Sequence, residues 1–154
     1  MNLKYIVVAF AVLSAAGCES ASHAREERSA QAAADSFATY YFNWQFDKAS
    51  RFVTDSSLVW LRYAASQVHE ADIKILREKE DAAIEVEEID IDNAETASVL
   101  VTVKDFLRMD TIGTEGHLVG KASFRLNIER TSTEGGEWKI RMEGLPQSEK
   151  RNRD

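Results

Sequence analysis

Few side chains in this 154-residue chain have the type and spacing to do chemistry. Cys18 is the only thiol, so no intramolecular disulfide can form. It follows directly on an apolar run, Tyr5 to Ala16, and the small residues Ser14-Ala15-Ala16-Gly17. The histidines, His23, His69 and His117, lie too far apart for any two to share a helix face, so there is no local metal motif. Asp90, Asp92 and Asn93 are spaced like the start of a calcium loop. Glu95 stands where that loop needs glycine for its sharp turn, which excludes an EF-hand. Gly116, Gly120 and Lys121 lack the glycine spacing of a phosphate-binding loop, and Ala122 replaces its hydroxyl residue. A G-x-S-x-G elbow is missing as well. One polar cluster, Asp105, Arg108, Asp110 and His117, flanks a loop, and a carboxylate beside a histidine is the pairing that acid–base catalysis uses. None of these residues is assigned a catalytic role, and no metal or cofactor is expected.

The amino-terminal segment reads as an address. Lys4 precedes the apolar run, and Glu19, Glu26 and Glu27 follow too soon for a membrane-spanning helix, which needs about 20 apolar residues. A short apolar core ending in small residues is the pattern of a secretory signal peptide. Ala15-Ala16-Gly17-Cys18 resembles the lipobox of bacterial lipoproteins. That resemblance implies a thiol diacylated at Cys18, a signal cut before it, and a newly acylated amino terminus. Two or three acyl chains suffice for stable anchoring. Residues 1–17 are therefore expected to be a lipoprotein signal peptide and 18–29, small and polar, a flexible tether. The folded domain is expected over 30–146, and 147–154, with no apolar member, is expected to be a disordered tail.

The elements that must position any site divide at Ile84. Before it the apolar period is helical. Phe37, Tyr40, Tyr41 and Trp44 form an aromatic stripe on a helix expected from about Glu26 to Phe42. Asp47 is expected to cap a second, short helix with Phe46, Ala49, Phe52 and Val53, and Thr54-Asp55-Ser56 starts a third, with Leu58, Leu61, Ala65 and Val68. Ser66 is expected to cap a further turn around Ile73 and Leu76, a stretch in which Ile73 and Ile75 also alternate like a strand. From Ile84 the period is two. The first strand slips phase at Glu87-Glu88, a bulge signature, and turns at Asp92-Asn93-Ala94-Glu95. The second turns Ala97, Val99, Val101 and Val103 to one face and slips near Asp105-Phe106. The third is read with Leu118, Gly120, Ala122, Phe124, Leu126 and Ile128 on one face. Glu134-Gly135-Gly136 turns into a fourth, with Trp138, Ile140 and Met142 inward.

Helices first and an antiparallel meander second make an α+β fold, N-terminal helices packed on a curved sheet of about four strands. With 44% hydrophobic residues the chain can build a core, and its net charge of -7 argues against a nucleic-acid partner. Ala34-Asp35-Ser36-Phe37 leading to Phe46-Asp47-Lys48-Ala49-Ser50-Arg51-Phe52 resembles the helix pair of the cone-shaped, cystatin-like nuclear-transport-factor-two-like superfamily, and in particular small bacterial lipoproteins carrying such a domain. The resemblance implies a cone whose mouth holds a small ligand or a partner. Trp60, Tyr63, Arg108 and His117 are the pocket candidates, and Cys18 the lipid attachment point. The expected function is a non-catalytic binding module, anchored in the bacterial cell envelope, for a small ligand or an envelope protein. Two readings stay open beside it: an acid–base enzyme using Asp105, Asp110 and His117, and a structural component that forms homodimers through its sheet face, where Leu100 and Val119 are apolar.

Overall fold

Alanine spacing explains how the longest element is seated. In the computed structural model, which describes residues 13–109, 113–131 and 136–149 and side chains from residue 21 on, helix α1 runs Leu13–Phe42. Ala30, Ala34, Phe37, Ala38 and Tyr41 are buried along one side of it, and α1 touches all four strands of the sheet. Small side chains let the helix backbone lie close to the strands, and the rings fill the space further along. Glu26 forms an ion pair with Arg130, whose guanidinium lies 4.8 Å from the Trp138 ring centroid. Residues 18–29, expected as a tether, are helical throughout, so α1 begins well before Glu26. Residues 1–12 of the expected signal peptide lie outside the described residues, as does the side chain of Cys18.

Three short helices and two 3-10 turns follow: α2 (Phe46–Ala49) with a 3-10 turn Ser50–Phe52, then a 3-10 turn Asp55–Ser57 leading into α3 (Leu58–Ser66), and α4 (Glu70–Glu78). Asp47 sits in the first turn of α2, and the N-cap position belongs to Gln45. The buried residues of α3 are Leu61 and Ala64; Leu58 and Val68 of the expected stripe pack partly buried against the core, and Ala65, exposed, departs from it. Ser66 closes α3, its hydroxyl donating to the Tyr63 carbonyl at 2.6 Å, and α4 is capped by His69. The Ile73–Ile75 stretch is helix: Asp72 is the buried residue of α4, while Ile73, 40% exposed, lies on the same side as Lys74, Arg77 and Glu78. Ser57 is fully buried and accepts the Met142 backbone N–H at 2.8 Å, tying the start of α3 to the sheet.

The sheet is an antiparallel meander in the order β1 (Ala83–Ile91), β2 (Thr96–Arg108), β3 (His117–Arg130), β4 (Trp138–Arg141), and it does not close into a barrel. The register shifts between Val86 and Glu88, where the sequence predicts a bulge. The Asn93 carboxamide oxygen accepts the N–H groups of Glu95 (2.8 Å) and Thr96 (3.0 Å), fixing the β1–β2 turn. Ala97, Val99, Val101 and Val103 face α1, opposite Ile128, Leu126, Phe124 and Ala122. Beyond Lys104 the phase slips on both strands, at Asp105 (φ 53°) on β2 and Gly120 on β3. Val119 thus turns towards the core beside Phe106, while Leu118 is 61% exposed, correcting the expected inward set of β3. The chain then returns to the edge of β3, with a bridge from Ser148 to Phe124 and a bond from Glu149 N–H to Ser123 O at 2.8 Å. Residues 147–149 are therefore ordered structure, not tail; 150–154, and the turn residues Glu134 and Gly135, lie outside the described residues.

Candidate functional site

The mouth expected of a cone is built where α1 ends. Trp44 N–H bonds to Tyr41 O (3.0 Å) and Gln45 N–H to Tyr40 O (2.8 Å), the double bond pattern of a Schellman stop. That motif needs a left-handed residue, and here it is Trp44 at φ 59°, a place usually filled by glycine. The indole compensates by donating Nε1–H to the Leu107 carbonyl at 2.9 Å and by packing 6.0 Å from Phe46. Behind it the Phe42 ring meets Phe124 at 4.6 Å and Phe106 at 5.4 Å, and Phe37 stacks on Tyr41 at 5.3 Å. Burial pushes the Tyr41 phenol far above its ordinary ionisation range. What remains among Tyr41, Phe42, Trp44, Phe46, Phe106, Arg108 and Met109 is a cavity of about 20 Å³, room for about one water. The aromatic interior is filled by its own side chains.

The loop between β2 and β3 is fastened at the same place. Gly116 packs so closely that a Cβ there would stand 2.9 Å from Leu107 Cγ, 3.0 Å from Arg108 O and 3.2 Å from Trp44 Cζ2. Its N–H donates to Asp72 Oδ1 at 2.8 Å, and Asp72 Oδ2 accepts the His69 N–H at 2.9 Å. Asp72 is fully buried, and its carboxylate joins the start of α4 to the loop. Sequence inspection did not single out Asp72; the only signal was an acidic residue three positions after a polar one before an apolar run, the spacing of a capping box.

Of the expected pocket residues, Arg108 and His117 face each other across β2 and β3. A cation therefore stands opposite His117 in the register, and Asp105 is exposed three positions away; Asp110 lies outside the described residues. Trp60 and Tyr63 pack edge to face at 6.4 Å on α3, half-buried. A hollow of about 480 Å³ is lined by α4 residues alone, between Glu70 and Glu78, and one helix face encloses nothing. A better-shaped cleft of about 440 Å³ lies where the outer face of the sheet meets the edge of β3, lined by Leu100, Val119 and Ala122, by Arg108 and Lys121, and by Ser123, Ser148 and Glu149. Leu100 and Val119, noted in the sequence as apolar residues off the main stripes, both line it. Arg108 lines this cleft and the aromatic interior alike.

Around the cleft the outer face is polar and largely self-paired. Arg125 lies 2.8 Å from Glu149, 3.5 Å from Asp90 and 3.7 Å from Glu88, and its hydrogen bond to Glu149 raises its pKa further. Thr102, only 1% exposed, donates to Glu87 at 2.7 Å and lies 3.0 Å from the Ser123 hydroxyl. Among the described residues there is no group of three or more His, Cys, Asp or Glu placed to hold a metal, and no helix long and apolar enough to cross a membrane. The fold and cleft define an α+β domain with a closed interior and an external groove. Comparison with protein-family models, with curated proteins and with solved structures gave no match.

Proposed function

We propose that the chain is a bacterial envelope lipoprotein, anchored through acyl chains on Cys18, whose α+β domain is a non-catalytic binding module working from its outer surface. The observation that carries this reading is the join between address and domain. Leu13 to Cys18, the last residues of the apolar run and the small residues leading to the thiol, already belong to α1, whose far end is buried in the core. A helix rising 1.5 Å per residue makes the segment from Cys18 to Glu26 a stand-off of about 12 Å. The closed aromatic interior supports recognition on the surface over a ligand held inside. The element order, helices and then a four-strand meander, agrees with the nuclear-transport-factor-two-like resemblance.

Intact mass of the protein purified from its native membrane, beside a Cys18→Ala variant, tests the anchoring. Loss of Met1 to Gly17 with added acyl mass, absent in the variant, is the expected result. An unacylated, soluble product cleaved after Ala16 overturns it.

A further inference from the structure

We infer that the outer edge of β1 is a docking site for an extended segment of another protein in which basic and apolar side chains alternate, added to the sheet as a further strand. The inference gives a partner class to the binding module proposed above and does not depend on acylation of Cys18.

The two sides of the sheet end differently. On the β4 side, Ile140 bridges to Val53 and its carbonyl accepts the Thr54 N–H at 2.9 Å, and beyond β4 the edge of β3 is taken by Ser148 and Glu149. β1, nine residues long, pairs with β2 on one side. Among the described residues no other hydrogen bond reaches its backbone from Ala83 to Ile91. Its outward N–H and C=O groups are a template for a further strand. The apolar layer is open at the same place. Val103, Val101, Val99 and Ala97 on β2 are at most 2% exposed, whereas their β1 partners Ile84, Val86, Ile89 and Ile91 are only partly buried against the core. A strand laid along β1 on either side of its bulge would extend the ladder and cover that row together.

Charge decides what kind of strand fits. Residues 78–95, which are β1 and its flanks, carry nine acidic side chains against Lys79 alone, more net negative charge than the -7 of the whole chain. Within β1 itself Glu85, Glu87, Glu88 and Asp90 alternate with the apolar row, and all four are exposed. Arg125 reaches Asp90 at 3.5 Å and Glu88 at 3.7 Å but bonds most closely to Glu149, at 2.8 Å, and Glu87 accepts the Thr102 hydroxyl at 2.7 Å. Glu85 has no cation within 4.0 Å, Lys104 across from Ala83 included. A second copy of this chain paired edge to edge would set these acids against their like, which is destabilising. A strand with Lys or Arg at alternate positions instead places cations beside them and turns its apolar residues to the side of Ile84, Val86, Ile89 and Ile91.

The test is fluorescence anisotropy of labelled nonapeptides titrated with the full chain. The probe alternates Lys and Val; the controls alternate Glu and Val, consist of lysine alone, or repeat the Lys-Val sequence with every backbone nitrogen methylated. The Lys-Val peptide is expected to bind saturably, one per chain, at least about tenfold more tightly than any control, because it alone has cations, apolar side chains and backbone donors together. Amide hydrogen exchange is expected to slow in β1 when it binds. Glu85→Lys is expected to weaken binding about fivefold, the size of one exposed ion pair lost and a repulsion gained. Glu85 is exposed and unpaired, so the fold is kept, which circular dichroism verifies. Equal binding of the all-lysine peptide reduces the edge to an acidic patch and overturns the proposal. Equal binding of the methylated peptide removes the ladder and overturns it too. So does the absence of saturable binding, protection confined to strands other than β1, or binding untouched by Glu85→Lys. Dimerisation of the chain through β1 would replace the partner with a second copy. Each of these leaves the mass test of anchoring intact, and an unacylated product in that test leaves the peptide result standing.

Discussion

Replacing Asp72 by alanine tests how the mouth region is held. The carboxylate is fully buried and accepts two backbone N–H groups, His69 at 2.9 Å and Gly116 at 2.8 Å. Truncation leaves both donors without a partner in a dry place, and each costs roughly 1–3 kcal/mol. The His69 bond is also half of a helix start, worth about 1 kcal/mol and already contained in that range. The expected loss is about 3 kcal/mol, against a total stability of roughly 5–15 kcal/mol for a domain. Asp72→Asn keeps one acceptor and turns amide hydrogens towards the other N–H, so about 2 kcal/mol is expected. Urea unfolding followed by circular dichroism measures both, with the slope unchanged if only the native state is affected. Gly116→Ala strikes the same junction from the other side. Its new methyl would meet two fixed neighbours, Leu107 and the Arg108 carbonyl, at about 3 Å, and overpacking of this kind costs roughly 1–3 kcal/mol. Because the two changes disrupt one contact, the double variant should lose less than their sum. An Asp72→Ala loss below about 1 kcal/mol, or strict additivity with Gly116→Ala, would show that water takes the place of the carboxylate and that the junction carries no load.

Two further outcomes follow from the aromatic end of α1. Trp44→Gly is expected to be less destabilising than Trp44→Ala by about 1 kcal/mol, because φ 59° suits glycine and strains alanine while both lose the indole and its bond to Leu107. Equal melting losses would refute the strain. Tyr41 ionises in the unfolded chain near pH 10 but is held neutral by burial when folded. Its share of stability is therefore complete below about pH 10 and is lost as pH rises beyond it. Tyr41→Phe should flatten the alkaline fall in urea midpoint between pH 9 and 11, and an unchanged slope would exclude burial of the phenol as its source.

Much of the fold was legible because periodicity is a local property. The bulge before Glu88, the turn at Asn93 and the slip at Asp105 all show as breaks in a period of two. Where two local patterns compete, the sequence is silent: Ile73 and Ile75 fit helix or strand, and the Asp72 cap decided for helix. Gly120 was read inward with Leu118 because the phase of β3 was counted from its far end, yet the slip opposite Asp105 resets it. The site was less legible than the fold. Arg108 and His117 were expected together and are register partners across β2 and β3, while Trp60 and Tyr63 belong to α3. That the outer side of β1 stays open depends on which strands pair, and no window along the chain contains that.

The unbroken course of α1 gives any anchor at its start an angular meaning. A flexible leash would let the domain tumble, whereas a helix transmits rotation. Each residue inserted between Cys18 and the Glu26–Arg130 contact would swing the sheet by about 100° and lift it by only 1.5 Å. Insertion length thus selects a compass bearing for the open edge of β1, with almost no change in altitude, and a length restoring a whole number of turns restores the bearing.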